Sequence, residues 1–267
     1  MTELALAADK KNTFSGKLLT VYEKSAVILL ILLAWAIVPR YFYHHMFLPS
    51  LLDILKTMVP MIQSGELLNH MGGSLLRAGI GLGIATLLAV PLGIVLGWFP
   101  RVENYLDPLL QAMRNTSVLA ILPVFVLFLG VGELSKVCVI IWGCFFPQFI
   151  NTIQGVKNVD ANLIFYARSI GISNFGLFRK VVLPGALSYI IAGFRIAASV
   201  SLLVLVAAEM LGASRGLGYM VQHYQQAMLI EKMYCGILVM ITLGVLLNSI
   251  IVRLEKRLLI WRQEPSV

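Results

Sequence analysis

The sequence predicts an all-α, polytopic membrane protein: six transmembrane helices and one two-part amphipathic segment projecting from the membrane. Three observations lead there. First, 59% of the 267 residues are hydrophobic and 13% are charged, against about 25% charged in a soluble domain. A soluble fold of this size would lack the charged side chains that cover an exterior. Second, the apolar residues fall into six separated runs near the ~20 residues a helix needs to cross hydrocarbon, not the ~10-residue alternating segments of a barrel. Third, lysine and arginine are unevenly divided between alternate loops. The loops on one face hold 13 and those on the other hold 5, with Arg77, Arg114 and Arg195 within or at the edges of spans. The richer face is cytoplasmic by the positive-inside bias, so both termini are expected there.

Taken in order, residues 1–24 form an N-terminal tail carrying Lys10, Lys11, Lys17 and Lys24. The first span covers about 25–40. Ala34-Trp35-Ala36 loosely resembles a signal cleavage site, but the long basic tail before it favours a retained span. Next, Leu48-Pro49-Ser50 is a helix-start signal, and Leu51, Leu52, Ile54, Leu55 and Met58 give an apolar stripe. A short helix along the outer interface is expected. The remaining spans cover about 75–99, 113–132, 137–156, 186–208 and 233–252, and residues 253–267 form a C-terminal tail. The spans and their loops, 25–252, make one domain. Pro91, Pro123 and Pro147 put bends in spans. Small residues at Gly79/Gly83 and Gly93/Gly97 allow close helix packing.

The net charge of +8 follows from juxtamembrane lysine and arginine facing an anionic bilayer. These residues form no compact patch with stacking aromatics, so no nucleic-acid partner is expected. Cys138, Cys144 and Cys235 lie in spans without ligand spacing and read as small buried apolar residues. His44, His45 and His70 lack the i, i+4 spacing of a metal pair. No metal, cofactor or catalytic residue is expected. The chain has no phosphate loop, no Gly-x-Ser-x-Gly elbow and no His-Glu-x-x-His pair, and almost no Asp or Glu within its spans. An energy source is expected on another polypeptide.

The two-part segment occupies 160–184. Asp160 can cap a helix running to about Ile170, and Gly171 suits its end because a left-handed conformation is easy there. Ser173 or Asn174 can cap a second helix bearing Phe175, Phe178, Val181 and Val182. Pro184 is expected to break that helix before the fifth span. Aromatics at Phe165 and Tyr166 in a hydrated loop suit a partner groove. An amphipathic basic helix lying on the bilayer, with Arg179 and Lys180 at the headgroups, fits the same pattern.

These residues resemble the coupling segment of permease subunits in bacterial ATP-binding-cassette importers, whose pattern is Glu-Ala-Ala-x3-Gly-x9-Ile-x-Leu-Pro. Here Gly171 is followed by nine residues and then Val181-Val182-Leu183-Pro184, while Phe165-Tyr166 replace Glu-Ala. From about Leu48 onward, "LLRAGIGLGIATLLAVPLGIVLG", "FFPQFINTIQGVKNVD" and "GFRIAASVSLLVLVAAEMLGASRGLGYMV" are similar to the nitrate/sulfonate/taurine branch. "RNTSVLAILP" departs from that branch by lacking two prolines.

The resemblance implies a non-catalytic permease in the bacterial inner membrane, forming the path for a small organic or inorganic anion such as a sulfonate, taurine or nitrate. Its expected partners are two cytoplasmic ATP-binding subunits, a second permease copy and an external substrate-binding protein. The resemblance assigns ATPase coupling, as a cytoplasmic coupling helix, to Phe165, Tyr166, Ala167, Arg168, Gly171, Phe175, Phe178, Leu183 and Pro184. Arg195 and Glu209 are the candidate residues of the translocation path. Arg195 lies about 9 residues, roughly 13 Å, into its span, where it can face the pore or snorkel to the interface. Glu209 can close a gate, pair with Arg215 or simply face the interface. An ion-gradient-driven secondary transporter and an intramembrane enzyme are the rival classes. The scarcity of intramembrane carboxylates argues against the first, and the absence of a nucleophile–base pair argues against the second.

Overall fold

The computed structural model describes residues 47–258 together with Leu30, Leu33 and Trp35. The tail 1–24, most of the first predicted span, His44, His45 and residues 259–267 lie outside the described residues. Every regular element among the described residues is helical. Helix α1, Leu51–Gln63, starts where the Ser50 hydroxyl accepts the Asp53 amide, which satisfies one of the amides left free at a helix start. Its inward stripe is Ile54, Met58 and Met61, whereas Leu52 and Leu55 are exposed.

Helix α2, Glu66–Trp98, is 33 residues long and runs through Pro91. Helix α3, Pro100–Asn115, meets α4, Val118–Leu129, at a 90° bend. Helix α4 by itself is about 18 Å long, well short of the ~30 Å hydrocarbon core, so the predicted third span is a broken element. Helix α5 is Glu133–Lys157, α6 is Ala161–Ser169 and α7 is Asn174–Leu177. A π turn, Phe178–Val182, joins α7 to α8, Leu183–Met210. Helix α9 is Leu217–Gln226 and α10 is Ile230–Leu258. Among the described residues four helical stretches (α2, α5, Asn174–Met210 and α10) are long and apolar enough to cross a membrane, and the bent α3–α4 pair makes a fifth when it is counted as one span.

The expected break at Pro184 is absent: helix continues without interruption from Asn174 to Met210. The reason is the π turn. The Leu183 amide bonds to the Phe178 carbonyl, five residues back. This wider turn immediately before the proline makes room for its ring and absorbs the missing donor.

Packing between spans in lipid depends on close van der Waals approach, because lipid tails are as apolar as the helix surfaces. The stripe on α2 that provides it is Ala78, Gly81, Ala85, Ala89, Gly93 and Gly97, all buried. A Cβ on Gly81 would lie 2.8 Å from Ile140 Cβ, and one on Gly93 would lie 2.8 Å from Thr152 Cβ and 2.9 Å from the Phe149 carbonyl oxygen. Gly97 meets Val156 in the same way. Gly79 and Gly83 have nothing within 4 Å of a built Cβ, which corrects their expected packing role. They are two residues from Gly81, roughly 200° around the helix, and so face away from α5. The other side of α5 is equally close to α8, through Gly155 against Tyr189 and Gly193 against Asn151. Gly93→Leu is therefore expected to cost at least the ~1–3 kcal/mol of an overpacked core site. A lowered unfolding temperature in detergent for this variant, with little change for Gly79→Leu, would check it.

Candidate functional site

Two polar constructions stand at opposite ends of this bundle. At the Gly171 end, Asp160 caps α6 by accepting the Asn162 amide, and Ser173 caps α7 by accepting the Gly176 amide. Between them Gly171 has φ +75°, a left-handed conformation that L side chains adopt only with strain. Gly171 thus ends α6 and turns the chain into α7, and the faces of the segment divide. Phe165, Tyr166, Ile170 and Phe175 are 65–76% exposed, while Ala167, Leu177 and Val182 are buried. Phe178 is half-buried and packs edge-on against Trp98 of α2, with ring centroids 5.8 Å apart. Arg168 and Pro184 are exposed, and Leu183 is half-buried in the first turn of α8. Of the predicted coupling residues, then, Phe165, Tyr166, Arg168, Gly171 and Phe175 present a surface, and Ala167 and Phe178 anchor it.

The Glu209 end holds a network that reading the sequence missed. Glu209 is fully buried, and its cation is Arg77 of α2, with Nη1 2.6 Å from Oε1. Arg77 Nη1 also donates to the Arg215 carbonyl at 2.8 Å. Its Nε and Nη2 donate to the two carboxylate oxygens of Glu133 at 2.5 and 2.7 Å. Ser74, one turn before Arg77, donates its hydroxyl to Glu209 and accepts the Leu217 amide at 2.8 Å. The Gly218 amide donates to Glu209 Oε2 at 2.8 Å, so the carboxylate sits at the start of α9, where free amides and the helix dipole favour negative charge. The His70 Nδ1 accepts the Gly216 amide at 3.1 Å. Gly218 permits the close approach of α9 to α8, since a Cβ there would lie 2.5 Å from the Val206 carbonyl oxygen. One arginine, one buried carboxylate and one hydroxyl thereby tie α2, α5, α8 and α9 together. The available sequence signals were the i, i+3 pair Ser74/Arg77 beside an apolar run and Glu209 as the sole acid of its span.

Arg195 is elsewhere. Its side chain is half exposed, Nε donates to Asn248 Oδ1 at 3.2 Å, and Nη1 is 3.7 Å from Glu255. Asn248 and Ser199 are polar edges of an otherwise apolar groove of about 550 Å³ between α8 and α10. Arg195 and Glu209 are not brought together. Cys144 and Cys235 are buried and donate weakly to the Ala197 and Ile54 carbonyls. Among the described residues no group of three His, Cys, Asp or Glu could hold a metal ion.

A bundle of apolar, closely packed helices, tied by a buried ion-pair network at one end and carrying an exposed aromatic element at the other, has the build of a multi-pass membrane protein. Residues 89–260 match the family described as binding-protein-dependent transport system inner membrane component, and the chain belongs to that family. It is 39% identical over 215 residues to "Putative aliphatic sulfonates transport permease protein SsuC" of Bacillus subtilis (strain 168), covering 80% of this chain and 78% of the relative. It is 34% identical to the taurine transport system permease protein TauC of Escherichia coli (strain K12), covering 86% of each. The fold is similar to a chain in a solved structure of the MetNI methionine ABC transporter in inward-facing conformations, with TM-score 0.64 and 16% identity over 74% of this chain and 98% of the other. The protein is accordingly a transmembrane permease subunit of an ATP-driven importer.

Proposed function

We propose that this permease imports a small sulfonate-class anion, with the Gly171 end in the cytoplasm and the Glu209 end facing the external binding protein. ATP hydrolysis occurs on two separate subunits that receive the 160–184 segment, and a second permease copy completes the path. Both termini are cytoplasmic, as the lysine and arginine distribution supports. The observation carrying this reading is the exposed aromatic face of Phe165, Tyr166 and Phe175, borne on a segment whose helix runs unbroken from Asn174 into α8. Exposed aromatics suit a hydrophobic partner groove, and an unbroken helix transmits displacement of that face into the bundle. Relatives named for aliphatic sulfonates and taurine support the substrate class, and Arg195 beside the α8–α10 groove supplies a cation for it.

Reconstitution of the permease with its ATP-binding subunit and binding protein tests this. Uptake of taurine or an alkanesulfonate is expected to require both ATP and the binding protein and to survive collapse of ion gradients. Gradient-driven uptake without the ATPase would favour a secondary transporter. ATP-dependent uptake of a different solute would overturn the substrate class alone.

A further inference from the structure

Arg77 has two carboxylate partners in very different surroundings. The Glu209 side chain is 0% exposed, whereas that of Glu133 is 53% exposed. Parting Arg77 from Glu209 would strand a charge in a low-dielectric interior. Parting it from Glu133 leaves a carboxylate that water can solvate, while the buried guanidinium keeps Glu209 and the Arg215 carbonyl as partners. Glu133 is also placed to move. It opens α5 directly after a bend in which Gly130 has φ +77° and Val131 is exposed. The neighbouring buried cation, Lys136, makes its hydrogen bond to the Gly132 carbonyl at 2.9 Å and no hydrogen bond to Glu133. The first turn of α5 is thus held in part by its own backbone, independently of the Arg77–Glu133 contact.

Resting on the importer reading above, we propose that the Arg77–Glu133 contact is the releasable closure of the outer end of the permease. Arg77, Glu209 and the start of α9 are the fixed seat on which it closes. Glu133 is then a positioning residue for the opening step: the step breaks the bidentate Arg77–Glu133 contact and leaves Arg77–Glu209 intact.

The test uses the permease assembled with its ATP-binding subunits in lipid nanodiscs, measuring ATP hydrolysis with and without the binding protein, together with the unfolding temperature. Glu133→Gln keeps the size of the side chain and removes its charge. It is expected to raise hydrolysis without the binding protein by at least roughly fivefold, since a pair with one buried member exceeds the scale of a fully exposed one, and to lower the stimulation by the binding protein by a similar factor. Its unfolding temperature is expected to stay at the wild-type value, while that of Glu209→Gln falls. Unchanged basal hydrolysis in Glu133→Gln would overturn the closure. So would a fall in unfolding temperature as large as that of Glu209→Gln, which would make the contact merely structural. Wild-type hydrolysis that no binding protein stimulates would overturn the importer reading and the closure with it.

Discussion

Arg77→Leu is expected to leave very little folded protein. The substitution strands Glu209, which is fully buried, with a hydroxyl and one backbone amide in place of a guanidinium. Removing one partner of a buried ion pair costs about 3–5 kcal/mol, a large part of the ~5–15 kcal/mol that holds a typical domain together. The Arg215 carbonyl loses its donor in the same step. The expected result is loss of the monodisperse peak in size-exclusion chromatography, or a strongly lowered unfolding temperature in detergent. Adding Glu209→Gln to Arg77→Leu should recover part of the loss. The amide still accepts from Ser74 and Gly218 but carries no charge, and removing both members of a buried pair costs far less than removing one. A single variant as stable as wild type would show that the network carries no stability.

Gly171→Asp is expected to abolish transport while the protein still inserts and folds. At φ +75° a side chain is strained, but aspartate tolerates this region better than most residues. A built Cβ there has nothing within 4 Å, so the folding cost is about 1–2 kcal/mol. The functional loss comes from what the side chain adds to the surface. A charged group would stand on the turn between α6 and α7, close in sequence to the exposed Ile170 and Phe175, and an apolar partner groove cannot solvate it. Uptake in cells, normalised to membrane-inserted protein by immunoblot, checks the result. Normal uptake would remove this segment from the coupling machinery. Gly171→Asn separates charge from shape, since asparagine is neutral, similar in size and tolerant of a left-handed backbone. It should retain much of the activity.

Local chemistry was readable wherever neighbours in sequence are neighbours in space. The caps at Ser50, Asp160 and Ser173 and the left-handed turn at Gly171 each depend on groups within four residues, and the structure shows all of them. Pro184 was misread because the expectation took α-helical bonding as the only alternative to a break. The π turn that accommodates it depends on how Phe178 and Val182 seat against α2 and α5. Of the two expected glycine pairs, Gly93/Gly97 packs on α5 and Gly79/Gly83 does not, for a similar reason. Small residues at helical spacing occur on both sides of α2, and only the position of α5 selects Gly81 over Gly79 and Gly83.

Composition and periodicity by themselves determined that this chain is a helical membrane protein, and its amphipathic, capped two-part segment at 160–184 was marked by the resemblance of its Gly171-to-Pro184 spacing to the coupling pattern. These properties belong to the chain residue by residue: burying apolar groups in lipid and satisfying the backbone along each helix need no knowledge of the partners. Which charges belong together was decided only by the tertiary structure. Arg77 lies 56 residues from Glu133 and 132 from Glu209, and no local rule relates such distant positions. An unpaired charge in a low-dielectric interior is too costly to persist, so the packing of α2, α5, α8 and α9 had to bring each of these groups a partner.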